Sequence, residues 1–434
     1  MSLTVIGLIG TGVLLFLLLF LGMPVGFTMA VIGFSGICYL ISFKAALGMI
    51  GTELWGTFSS YGLTMVPLFV FMGQICFYSG LNKRLFRSTY TLTGHIKGGL
   101  AMATVFACAG FSAICGSNTA TAATMTAVSM PEMKKYNYDP ALSVGSIACG
   151  STLGVVIPPS VVLILIGLYT GQSISKLFYG GIPAGLLLVL SFMLTISVLC
   201  RIHPEWSPLE RKTTLMEKLR ALPGFFEAIL LFLLVMGGLY AGIFTPTEAG
   251  AVGTFCALAI SLIRRTLTWE GFKSAILDTL GVSCMVFIII AGAIMFSRFL
   301  ALTRIPFDIA DWVAALPFSP IAILSVIFVI YIIGGALMDA LALLLITIPI
   351  FFPVAMKLGY DPIWFGVMIT IITTLGAVTP PVGASTYVVA GMAKDVGLGG
   401  VFRGVLYFLP AYILCIIVLI IFPRIVTYLP SLIR

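Results

Sequence analysis

The sequence predicts an all-α polytopic membrane protein made of two inverted-topology repeats, each carrying a re-entrant helical hairpin and a broken helix. Three observations carry that prediction: a composition unsuited to water, an internal repeat at a fixed offset, and spans interrupted at their centres by paired prolines. Hydrophobic residues make up 60% of the 434 positions and charged residues only 9%, with a mean hydropathy of +1.17. Soluble chains carry about a quarter charged residues. Residues 1–43 hold no charged side chain and are interrupted only by Gly22-Met23-Pro24. At roughly 20 apolar residues per crossing, that stretch contains two spans and a tight turn. It is too long, and too quickly followed by further spans, to be a cleaved signal peptide. No stretch reads as a soluble domain.

The same composition limits the function. A net charge of +8 in such a chain reflects the Lys and Arg excess of cytoplasmic loops rather than a nucleic-acid partner. Nine cysteines lie scattered through apolar stretches without C-x-x-C spacing, as small buried hydrophobes do, not disulfides or metal ligands. Two histidines, His95 and His203, are thin material for a transition-metal site or a nucleophilic triad. Without a convergent acid–base cluster, the chain does not read as an enzyme.

The repeat lies between residues 131–160 and 353–382, which align without a gap at an offset of 222. Twelve of the 30 aligned positions are identical, among them Tyr138/Tyr360, Asp139/Asp361, Pro140/Pro362, Gly154/Gly376, Pro158/Pro380 and Pro159/Pro381. The offset also pairs Pro24 with Pro246. Two units follow, 1–212 and 213–434, and the polar connector 201–222 lies where they meet.

Both units run through the same elements. The first gives spans near 4–22, 25–43 and 62–81 and then a basic segment over 80–99; the second gives 224–242, 246–263 and 277–297 and then 298–317. Next comes an uncharged stretch, 98–131, whose 34 residues would make about 51 Å of helix. That exceeds one bilayer core, and the middle reads Gly116-Ser117-Asn118-Thr119. With Lys97 before it and Lys134 and Lys135 after it, a hairpin reaching mid-membrane and returning fits best. Residues 312–356 repeat the pattern with one charge, Asp339. A broken helix follows each hairpin, about 140–170 and 362–393, because consecutive prolines remove amide donors and clash with the preceding turn. Such a break persists in a membrane only where protein or a cavity covers it. Last spans near 178–200 and 404–423 close the units.

Five crossings per unit invert the second unit relative to the first. With the N-terminus outside, 16 of the 23 Lys and Arg residues fall in cytoplasmic loops, as the positive-inside rule requires. Both termini are then periplasmic, and the first hairpin opens to the cytoplasm and the second to the periplasm.

Inverted repeats with paired discontinuous helices point to a secondary transporter with its site at mid-membrane. Helix N-termini at tips and breaks offer amides and positive dipole ends to an anion, and unwound carbonyls beside them suit a coupling cation. Ser117, Asn118 and Thr119 serve either as caps or as ligands. The proline pairs are either kinks or site backbone, and their recurrence at one offset favours the site. Glu248 follows Thr245-Pro246-Thr247 in a capping box and is structural. Asp339 has no such motif and is the strongest functional candidate.

Across essentially its whole length the chain resembles the large membrane subunit of tripartite ATP-independent periplasmic (TRAP) transporters. The matching stretches are MVPLFVFMGQI at 65–75, the Gly116-Ser117-Asn118 tip, YDP…LGVVIPPS, GIFTPTEAGAVG at 242–253, GGALMDALALLLITIPIFFP and YDP…LGAVTPPVG. The resemblance implies an elevator-type fold of the ion transporter superfamily kind, in which a body of hairpins and broken helices slides against a scaffold. It implies sodium coupling, with one cation site at Ser117, Asn118, Gly154, Val156 and Pro158 and a second at Asp339, Gly376 and Thr379. The anion would meet Ser117, Asn118, Thr119, Pro159, Ala340 and Pro381. It also implies a small four-helix membrane subunit, here a separate chain because the N-terminus begins directly with a span, and a periplasmic solute-binding protein that delivers substrate. Carboxylates, sialic acid and sulfonates are all ligands of the family, and the site in the bacterial inner membrane does not choose among them. The rival is a stand-alone sodium/dicarboxylate symporter of elevator type; Met338-Asp339-Ala340, in place of Ser-Asn-Thr at the second tip, argues against it.

Overall fold

The computed structural model describes residues 2–208 and 214–432, and every regular element among them is a helix. The unit boundary at 212 and 213, and Arg211, Lys212 and Arg434 of the charge count, lie outside the described residues. Ten helices among the described residues are long and apolar enough to cross a membrane. This is a multi-pass membrane protein.

The outermost helices show what the chain does with a surplus of apolar residues. Leu3–Phe20 buries only Gly7 and Leu14 and exposes large side chains such as Leu8, Phe16 and Phe20, a surface suited to lipid. Val25–Leu40 packs against the 35-residue helix Trp269–Thr303 at backbone distance: a Cβ on Gly292 would lie 2.0 Å from the carbonyl oxygen of Gly26. Small residues permit that approach between membrane helices. In the same way Pro246–Ile263 packs on Met65–Tyr78, with the Thr254 hydroxyl donating to the Leu68 carbonyl at 2.8 Å. The second span of each half thus lies against the third of the other.

Three features differ from the sequence expectation. A helix not anticipated, Phe43–Phe58, precedes the third span, because Lys44, Thr52 and Glu53 dilute its apolar character below that of a span. It ends at Ser59 and Ser60, whereas the corresponding stretch of the second half runs unbroken into Trp269–Thr303. The basic segment is an amphipathic helix, Leu81–Thr93, which buries Leu81, Leu85 and Phe86. The last expected span, 404–423, is two helices, Gly397–Leu406 and Leu409–Ile421, divided where Pro410 takes the first turn of the second.

The hairpins stand at the centre. Gly99–Cys115 and Asn118–Lys135 form the first, and Pro320–Leu337 and Ala340–Lys357 the second. Arms of 17 and 18 residues span about 26 Å, enough to bring a tip from the headgroups to mid-membrane with some tilt. Each hairpin packs on its own broken helix, Pro140–Ser151 with Leu153–Val156 and Val161–Thr170, or Pro362–Gly376 with Ala384–Met392. The far segment of each broken helix crosses to the second arm of the other hairpin: Val161–Thr170 meets Ala340–Lys357, and Ala384–Met392 meets Asn118–Lys135. The repeated Tyr-Asp-Pro starts both broken helices. Pro140 and Pro362 occupy the first turn, Asp139 accepts from the Ala141 and Leu142 amides at 2.8 and 3.0 Å, and Asp361 accepts from Trp364 at 2.8 Å.

Candidate functional site at the hairpin tips

Each tip is made by local chemistry. Gly116 adopts a left-handed φ of +64°, which glycine takes without steric cost, and Ser117 then caps the second arm, its Oγ accepting from the Ala120 amide at 3.5 Å. At the second tip Asp339 also caps: its carboxylate accepts from the Leu341 amide at 3.0 Å. This corrects the sequence reading that Asp339 has no structural part. No Glu or Gln three residues on signals a capping box, yet a carboxylate just before a helix accepts from first-turn amides without one.

Beyond the cap the Asp339 side chain is exposed. Among the described residues no Lys, Arg or His pairs with Asp339. At the first tip Asn118 is buried and its side-chain carbonyl oxygen has no hydrogen-bond partner, while the Ser117 and Thr119 hydroxyls sit 3.3 Å apart.

The two tips meet. Ser117, Asn118, Thr119, Asp339 and Ala340 all line one cavity of about 110 Å³. The first turns of Asn118–Lys135 and Ala340–Lys357 both begin at its wall, so two helix N-termini face one space. Gly154, Val156, Pro158, Pro159, Gly376, Thr379 and Pro381 are not in its lining, although Val155, Val161 and Val162 of the first broken helix are. A Cβ on Gly154 would lie 2.7 Å from the Ser117 carbonyl oxygen, and one on Gly376 would lie 2.6 Å from that of Ile332, so each break presses on its own hairpin. In the second break the Thr379 hydroxyl and amide both donate to the Gly376 carbonyl at 2.9 Å, and the Val382 and Gly383 amides donate to Ala336 at 3.1 and 3.2 Å. The breaks are not equivalent in burial, since Pro158 and Pro159 are buried and Pro380 and Pro381 exposed. Exposed irregular backbone at membrane depth faces water or protein rather than lipid.

Sequence reasoning missed the wall opposite the tips. Val70 and Gln74 on Met65–Tyr78, and Val282, Met285 and Val286 on Trp269–Thr303, complete the cavity. Gln74 carried a signal: an amide inside an uncharged membrane helix. Glu248 forms its capping box with Thr245, the Thr245 amide donating to its carboxylate at 2.8 Å. Among the described residues no three His, Cys, Asp or Glu side chains gather closely enough to hold a metal. Of the nine cysteines, all free, Cys284 is exposed and six are buried.

A helical membrane transporter is the class that this architecture defines. The chain aligns with the Alcanivorax borkumensis YdaH transporter at a TM-score of 0.58, covering 90% of this chain and 89% of that one at 14% identity, a likeness of fold alone. The model of the family described as "Tripartite ATP-independent periplasmic transporter, DctM component" matches residues 12–425, and the chain belongs to that family. It is 34% identical over 402 residues to the C4-dicarboxylate TRAP transporter large permease protein DctM of Pseudomonas aeruginosa, covering 92% of each. It is 30% identical to the sialic acid TRAP transporter large permease protein SiaM of Vibrio cholerae, covering 96% of each. The chain is therefore a large permease subunit for organic acids, a transport protein and not an enzyme. Its family works with a small membrane subunit and a periplasmic binding protein.

Proposed function

We propose that this subunit carries out sodium-coupled uptake of a small carboxylate or sulfonate across the bacterial inner membrane by an elevator movement. The observation that carries the reading is the convergence of both tips on one cavity. That space holds a carboxylate without a cationic partner, while an unsatisfied amide oxygen and two helix N-termini stand at its wall. The carboxylate and the neutral oxygens fit sodium, and the N-terminal amides fit the anion. Sodium, when bound, supplies positive charge beside the anion. Asp339, with Thr379 and the Gly376 carbonyl behind it, would hold one ion, and Asn118 and Ser117, with the backbone from Gly154 to Pro158, would hold the other.

The two units are inverted repeats in this reading, and their crossing pattern supports it: each broken helix ends on the hairpin of the other unit. The hairpins and broken helices form the sliding body, and the span pairs joined at Gly26–Gly292 and Leu68–Thr254 form the scaffold. If more sodium charge than anion charge enters, the membrane potential adds ~2.3 kcal/mol per net charge per 100 mV.

The test is uptake into proteoliposomes containing this chain with its small subunit. A loaded binding protein is added outside, with and without an inward sodium gradient, over a panel of succinate, N-acetylneuraminate and isethionate. Sodium-dependent uptake of one panel member supports the reading. Equal uptake in potassium removes sodium coupling, and uptake without the binding protein favours the stand-alone symporter.

A further inference from the structure

We infer that Gln74 is a specificity-determining residue, a scaffold amide that donates to the end of the organic anion projecting from the hairpin tips. The inference rests on the proposed transport reading and adds a contact from the opposite wall. Gln74 lies one turn from Val70 on Met65–Tyr78, and both side chains line the tip cavity. The other scaffold residues there, Val282, Met285 and Val286, are apolar, so Gln74 is the polar group of that wall. Its amide makes no hydrogen bond with any described residue. Gln74 is half-buried and opens into the cavity, so its donor and acceptor are free for whatever occupies that space.

The neighbouring residue explains how the amide reaches the tip. A Cβ on Gly73 would lie 2.9 Å from the Cys115 Cα, so the scaffold helix touches the first hairpin backbone to backbone just where the hairpin turns. With no side chain wedging the surfaces apart, Gln74 lines the same cavity as Ser117 and Asn118. Met65–Tyr78 itself packs on Pro246–Ile263 and Trp269–Thr303, and so stays with the scaffold. In an elevator movement the tips leave and Gln74 stays behind. The contact to the anion therefore exists at this height of the body and is lost at the other, which makes Gln74 a reader of the anion on one side of the membrane only. The amide presents both a donor and an acceptor, which suits a carboxylate, sulfonate or hydroxyl, whereas the tips supply charge recognition.

The experiment is initial uptake by the full complex in proteoliposomes over the same three-anion panel, comparing wild type with Gln74→Leu, Gln74→Asn and Gln74→Glu. For Gln74→Leu the KM of the transported anion rises about three- to tenfold, the size of one lost hydrogen bond, while the sodium half-saturation stays at the wild-type value. Gln74→Glu is worse, since a carboxylate there opposes the anion, and Gln74→Asn, which keeps the amide, retains part of the affinity. A wild-type KM in Gln74→Leu overturns the inference, as does a fall in maximal rate alone, which would mark a packing role. A wild-type complex that takes up none of the panel overturns the transport reading and the inference with it.

Discussion

Lys134, at the end of the first hairpin, forms an ion pair with Asp395, just beyond the second broken helix. The hydrogen bond and charge of Lys134 hold the Asp395 carboxyl below its ordinary range. Because the folded pKa is depressed, the pair contributes at neutral pH and is lost as the pH falls through the folded value. The Asp139 amide donates to the Trp206 carbonyl at 3.0 Å, placing the connector on the same face. On another face Lys357 pairs with Asp311, and Lys176, Asp361 and Ser431 share one surface pocket.

These two groupings predict a topology. Glu205→Cys and Ser431→Cys, each in a cysteine-free background, should react oppositely with an impermeant thiol reagent in intact cells, Ser431→Cys from outside. Labelling of position 205 from outside contradicts the inverted arrangement.

A second prediction concerns Glu227, a buried carboxylate that accepts from Arg84 at 3.0 and 3.1 Å and pairs with Arg264 at 2.5 Å. It pins the amphipathic helix Leu81–Thr93 to Leu215–Tyr240. Removing one partner of a buried pair strands the other, at about 3–5 kcal/mol when desolvation is complete. Arg264 is half exposed, so Glu227→Ala should cost about 1–3 kcal/mol in thermal or denaturant unfolding. Arg84→Ala should then cost little more in that background, and fully additive losses would mean that the pair is not coupled.

Gly154→Ala tests how a break supports a tip. Its Cβ would lie 2.7 Å from the Ser117 carbonyl oxygen and 3.1 Å from the Asn118 nitrogen, and overpacking of that kind costs about 1–3 kcal/mol. The first tip should shift, raising the sodium half-saturation of uptake while the complex still assembles. Wild-type sodium dependence would show that the break and the first tip act independently.

The partner prediction is that this chain alone gives no uptake, which returns when the small subunit and the loaded binding protein are both supplied. Transport by the purified single chain would support the stand-alone symporter.

Much of this was legible in the sequence, for identifiable reasons. Tyr-Asp-Pro and the proline pairs recur at one offset, and proline imposes its geometry wherever it stands, so hairpins and breaks could be placed by residue. Helix Phe43–Phe58 was not legible, because Lys44 and Glu53 hide it from an apolar window. At the site, the polar run Ser117-Asn118-Thr119 and the lone charge of Asp339 beside Ala340 mark the hairpin turns in the sequence, which is where the structure has them. Their meeting in one cavity was not readable, since it depends on the packing of two hairpins some 220 residues apart. The cap made by Asp339 was missed because the sequence signature of a capping box describes a reciprocal pair, and Asp339 caps alone. Gln74 is not legible as a site residue because a single amide in an apolar helix reveals its orientation only in three dimensions.

The most direct test of the account is the sodium dependence of initial uptake by the complete complex carrying Asp339→Asn. The carboxylate is the one unpaired charge at the tips, so its loss should shift the sodium half-saturation strongly upward or abolish the sodium response. Thr124→Val, altering a buried residue within two turns of the first tip, should leave the curve near wild type. A wild-type sodium curve for a folded, assembled Asp339→Asn complex would remove Asp339 from coupling and leave it a helix cap.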